Sequence, residues 1–265
     1  PERDMMTTVT TDRQGPVLTL TLDGPAMRNA IGPEVYAEIT AQLQTAATDT
    51  SLRAIVLTGA GSYFCAGGNI QSLKDSAQGT MAQATARTDI LNTMIRAITD
   101  CPLPVIAAIE GGAAGAGLAL AMACDLIVSS DAAKFTLSYV KIGLSPDGGV
   151  THFLRAALPR QMVMDMALRG QPVPAATFER FGLITQLTQP GEALPAAMVL
   201  AQDLARGPRT SHARIKHQVN VAAQNDLHTQ QQLEAHDMNT ARFGPEAAEG
   251  LSAFLEKRRP DYTKT

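Results

Sequence analysis

The sequence predicts an α/β fold, on three observations. Short apolar runs that read as strands alternate with helix-forming stretches over the first two thirds of the chain. Three glycine clusters follow strand-like runs. From about residue 192 strand signals stop, and patterns rich in Ala, Gln, Glu and Arg continue to the end.

Residues 17–22 (Val-Leu-Thr-Leu-Thr-Leu) alternate strictly, the mark of a half-buried strand. Asp23-Gly24-Pro25 breaks it. Pro33 suits a first helical position. Val35, Ile39 and Leu43 then recur every four residues and form one apolar helix face. Residues 54–58 (Ala-Ile-Val-Leu-Thr), ended by Gly59, read as a strand buried on both faces. The runs 104–109 and 125–128 read the same way, with helices near 81–99, 116–123 and 150–158. The division predicted is a core over 7–200 and a C-terminal helical segment over 201–265.

Composition bounds the function. The chain has 265 residues, 45% hydrophobic and 18% charged, which supports a sizeable core and excludes disorder. A net charge of −3 gives no general attraction to nucleic acid or to an anionic membrane. No apolar run reaches the ~18 residues of a membrane span, and Pro1–Thr8 lacks a signal-peptide core. Cys65, Cys101 and Cys124 are odd in number and widely spaced, which argues against disulfides and for a reducing, cytoplasmic setting. His212 and His217 lie five apart rather than four, so no metal site is expected.

The glycine clusters are 64–70 (Phe-Cys-Ala-Gly-Gly-Asn-Ile), 111–117 (Gly-Gly-Ala-Ala-Gly-Ala-Gly) and 145–149 (Ser-Pro-Asp-Gly-Gly). Each on its own reads as a tight turn. Strand, glycine-rich backbone and helix in succession also leave unpaired N–H groups at a helix start, which hold anions or oxyanions. A dinucleotide site would need Gly or Ala where Leu120 stands, so that reading is set aside.

Residues 64–70, together with 104–126, Arg28-Asn29-Ala30-Ile31 and Phe254-Leu255-Glu256-Lys257-Arg258-Arg259-Pro260, resemble in order the blocks of the crotonase (enoyl-CoA hydratase/isomerase) superfamily. The resemblance spans nearly the whole chain. It implies a spiral of ββα turns with a C-terminal helical trimerisation segment. It also implies an acyl-CoA substrate, no metal or redox cofactor, and a homotrimer or dimer of trimers.

By the same resemblance the backbone N–H groups of Gly68 and Ala116 hold the thioester oxygen of an enolate. Ala66, Gly67, Gly68, Asn69 and Ile70 line the thioester and pantetheine, with Gly115 beside them. Arg28 and Ala30 lie near the nucleotide, and Lys257 reaches the CoA phosphates of its own or a neighbouring subunit. Asn69 departs from the family's usual Asp but can still cap the following turn.

The two glutamates that family hydratases use fall on Ala119 and Tyr139. Alanine moves no proton, and a phenol is a poor base at neutral pH. Asp147 lies where single-aspartate members carry their acid, and residues 144–154 look most like the isomerase subgroup. The implied enzyme is thus an isomerase with Asp147 as proton carrier. A hydratase-like lyase and a non-catalytic binding protein stand as alternatives. Asp147 could equally cap a helix, and Tyr139 could be a packed aromatic or a substrate contact. Cys65 reads as packing; Asp125 and Glu110 read as structural acids.

Overall fold

In the computed structural model, residues 6–265 are described; the first five residues of the Pro1–Thr8 segment lie outside them. The strands are β1 (Thr8–Gln14), β2 (Val17–Asp23), β3 (Ala54–Gly59), β4 (Val105–Ile109), β5 (Gly112–Ala114), β6 (Leu126–Ser130), β7 (Lys134–Thr136), β8 (Val173–Pro174) and β9 (Gln186–Thr188). The helices are α1 (Pro33–Thr48), α2 (Ile70–Ser76), α3 (Met81–Thr99), α4 (Ala116–Ala123), α5 (Val150–Ala157), α6 (Arg160–Arg169), α7 (Ala175–Arg180), α8 (Ala193–Ala205), α9 (Arg209–Ala222), α10 (Leu227–Arg242) and α11 (Pro245–Leu255). Among the described residues no helix is long and apolar enough to cross a membrane.

The large sheet runs β1-β2-β3-β4-β6-β9, parallel except for the β1–β2 hairpin; a small sheet runs β5-β7-β8. Successive units β4-β5-α4 and β6-β7-α5 place one strand in each sheet and then a helix, which is the ββα spiral. β2 is buried on both faces rather than one. One face of the large sheet meets α1, α3 and α4; α8 covers the other through Ala197, Ala201 and Ala205. Thr19, on the side that alternation assigns to solvent, meets Met198 of α8. The 200/201 division falls within α8, which belongs to the sheet, and α9–α11 form the remaining helical layer.

The acids read as structural have backbone or lysine partners. Glu110 Oε1 accepts from the Gly191 and Ala193 amides, each at 3.0 Å. Asp125 accepts from the Val105 amide and from Lys216 Nζ, both at 2.7 Å.

Candidate active site

Two short stretches are stitched side by side to build the site. Ala66 N donates to Arg28 O at 2.9 Å, Ile31 N to Gly67 O at 2.8 Å, and Asn69 N to Ile31 O at 2.9 Å. On the other flank Ala114 N donates to Cys65 O at 3.0 Å. Asn29 is fully buried and anchors the first stretch: it accepts from Gly24 N and donates to the carbonyls of Ala60 and Tyr63. Segment 65–69 is therefore fixed between 28–31 and β5.

Two glycines make that approach possible. Gly67 has φ +100°, and a Cβ there would stand 2.7 Å from Ala114 O. Gly115 has φ 52° and ψ −127°, and it turns the chain from β5 into α4. Ala116 is thus the first residue of α4, where an amide has no intrahelical acceptor. Among the described residues, no backbone or side-chain acceptor takes the amide of Ala116 or of Gly68. The two loops touch, with Gly67 Cα packed near Gly115.

These amides border a cavity of about 370 Å³. Ala66, Gly68, Asn69, Ile70, Gly115, Ala116, Tyr139 and Asp147 all line it. Arg28, Ala30, Gly67 and Lys257 do not. Gly67 turns its carbonyl to Ile31, Arg28 lies over the Tyr63 ring at 5.5 Å, and Lys257 follows the end of α11. Ser72, Leu73, Ser76, Ala84, Arg87 and Thr88 contribute to the wall, and the C-terminal helices do not. Asn69 caps α2, its Oδ1 accepting from Ser72 N at 3.0 Å.

Asp147 is the only carboxylate lining the cavity among the described residues. It does not cap α5; that helix starts from Gly149 with no side-chain cap. Its Oδ1 instead accepts from the Tyr139 hydroxyl at 2.8 Å. Burial holds the Asp147 carboxyl above the ordinary carboxylate range, and the Tyr139 hydrogen bond partly offsets this. Burial, reinforced by the Asp147 charge, keeps Tyr139 a neutral donor. The Cys65 thiol is wholly buried and pushed up to about 12, so it is a packing group rather than a nucleophile.

Sequence reasoning missed Tyr36 and Arg87. Tyr36, on α1, lines the cavity with its phenol kept neutral by burial and the Asp147 charge. The signal was a phenol bordering the Val35/Ile39/Leu43 stripe. Arg87, on α3, hydrogen-bonds Ser72 Oγ on α2 and lines the same cavity.

The family model for enoyl-CoA hydratase/isomerase matches residues 12–265. The chain belongs to the enoyl-CoA hydratase/isomerase family. It is an acyl-CoA-converting enzyme of that family. It is 34% identical to a 1,2-epoxyphenylacetyl-CoA isomerase of Escherichia coli (strain K12), over 93% of this chain and 95% of the relative. It is 36% identical to a probable enoyl-CoA hydratase of Rhodobacter capsulatus, over 92% and 93%. The crystal structure of an enoyl-CoA hydratase from Polaromonas sp. JS666 superposes with a TM-score of 0.93 at 37% identity, covering 96% of this chain and 98% of that one.

Ala119 adjoins Gly148. Its side chain is fully buried, and a Cβ on Gly148 would lie 3.0 Å from its methyl and 3.5 Å from Leu91.

Proposed function

We propose that this enzyme is an isomerase acting on a CoA thioester, with Asp147 as the single proton carrier and the Gly68 and Ala116 amides as the oxyanion site. One observation carries the reading: among the described residues, a lone carboxylate shares a cavity with two amides that no protein acceptor uses. The thioester oxygen accepts from both amides as Asp147 removes a proton beside the carbonyl. The enolate so formed takes the proton back at the far end of the allylic system, with no water consumed. Each such preorganised donor is worth ~3 kcal/mol at the transition state. A carboxyl held above its ordinary range by burial is a stronger base than an exposed carboxylate, which suits it to take and return a proton. Two-carboxylate hydration lacks its acids, because Ala119 and Tyr139 stand at those positions.

The proposed chemistry uses no metal and no redox cofactor, since amides and one carboxylate supply every step. A cytoplasmic setting accords with three buried free thiols. Assembly as a trimer or dimer of trimers is supported by large apolar side chains exposed on α9–α11, among them Val219, Leu227, Met238 and Phe254. Mass measured by light scattering tests it.

The functional test is an acyl-CoA panel in deuterated water. Deuterium exchange beside the thioester and at the allylic carbon is expected, with loss of about 10²–10⁴-fold in Asp147→Asn. Rapid hydration of crotonyl-CoA, unaffected by Asp147→Asn, would overturn the isomerase reading in favour of a hydratase. Tight thioester binding with no exchange would mark a non-catalytic binding protein.

A further inference from the structure

The cavity holds two charged side chains among the described residues, Asp147 and Arg87. The proton chemistry uses Asp147 and leaves Arg87 without a task. Arg87 has no carboxylate partner; none of the ion pairs among the described residues includes it. Its one side-chain hydrogen bond goes to Ser72 Oγ, which steadies one arm of a guanidinium that carries five donors. Nor is it the counterion of Asp147, whose range is set by burial and Tyr139. Tyr36, Arg87 and Asp147 line the same cavity, and the phenol is pushed up by the Asp147 charge and down by the Arg87 charge.

The fold gives Arg87 a defined place along that cavity. Ala84, Arg87, Thr88 and Leu91 line one wall from a single face of α3. Leu91 packs where Gly148 adjoins Asp147. Arg87 is about one helical turn, ~5.4 Å, further along the axis. The lining is mixed, with Leu73, Ile142 and Leu144 beside Ser72, Ser76 and Thr88, and Arg87 is its only cation among the described residues. A purely alkyl chain ending against Arg87 would strip water from a guanidinium without pairing it. A carboxylate there would accept a forked pair of hydrogen bonds.

We infer that Arg87 selects acyl groups whose far end carries a carboxylate, so that the substrate class is a short dicarboxylic acyl thioester. This rests on the acyl-CoA reading of the cavity. The alternative source of negative charge is the nucleotide end of CoA itself, and the test separates the two.

Binding of S-carboxybutyl-CoA and S-pentyl-CoA, thioethers of equal chain length, is measured by calorimetry with wild type, Arg87→Leu and Arg87→Lys. The wild type is expected to prefer the carboxylate-ended ligand by roughly tenfold to a hundredfold. Arg87→Leu is expected to bring that ratio to near one, with Arg87→Lys between. A wild-type ratio near one, or a ratio that survives in Arg87→Leu, would overturn the inference. So would equal weakening of both ligands with the ratio intact, which assigns the guanidinium to the CoA phosphates. Failure of both thioethers to bind the wild type would refute the acyl-CoA reading, and this inference with it.

Discussion

Replacing Tyr139 with Phe deletes one hydroxyl and keeps the ring. The hydroxyl is the donor that Asp147 Oδ1 receives at 2.8 Å. Hydrogen bonds to a charged acceptor contribute about 1.5–3 kcal/mol. If the bond holds the carboxylate in its reactive orientation, kcat/KM at neutral pH should fall by roughly tenfold to a hundredfold. The pH dependence gives a second, signed readout. Burial raises Asp147 and the Tyr139 bond lowers it, so removing the bond moves the carboxyl further up. A base must be deprotonated to act, so the acid limb of the kcat/KM profile should shift to higher pH in Tyr139→Phe. Stability shifts consistently. A carboxyl raised in the folded state makes a contribution that is full below its unfolded pKa and lost as pH rises through the folded pKa. The variant should therefore lose more stability relative to wild type at pH 7 than at pH 4. Steady-state kinetics across pH and thermal melts at both pH values measure all three effects. Full activity with an unmoved acid limb would refute the positioning argument and leave Tyr139 as packing.

The remaining predictions test the amides, the missing acid and the scaffold. Ala116→Pro removes one of the two proposed oxyanion donors at a first helical position that tolerates proline; kcat should fall about 10²–10³-fold while circular dichroism keeps its helical signal. Ala119→Glu should not create a hydratase. Ala119 is fully buried beside Gly148, so the new carboxylate would enter the core, and urea unfolding should show a loss of about 3 kcal/mol with no hydration of crotonyl-CoA. Lys216→Met leaves Asp125, whose carboxylate is only partly shielded, without its ion-pair partner. Denaturation should show a loss of about 1–2 kcal/mol at pH 7, less at acid pH because protonation relieves the unpaired charge.

The architecture was legible where periodicity or composition forces it. The stripe Val35/Ile39/Leu43 admits only a helix with one buried face, and 54–58 and 105–109 are too apolar and too short for anything but central strands. The loops at 64–70 and 111–117 announced themselves by their glycines, which the backbone needs at Gly67 (φ +100°) and at Gly115, where φ 52° is combined with ψ −127°. Less visible were the short strands β5, β7 and β8, two or three residues each, which hold together only by pairing with one another across the chain. β1 was equally silent, since its residues are polar and mostly exposed and its strand exists through β2.

The sequence by itself determined the alternation of strands and helices and the glycine-rich turns, which are properties of residue type and local backbone; the spiral, the Gly68 and Ala116 amides and the missing acids at 119 and 139 came from its resemblance to the family. The tertiary structure alone decided which polar groups meet. Tyr139 and Asp147 lie on one connection, yet nothing local says that the phenol, rather than α5, takes the carboxylate. Tyr36 from α1 and Arg87 from α3 enter the cavity only because both helices pack on the same face of the sheet. Local propensity places a side chain on a helix face; only long-range packing determines which other side chains that face meets.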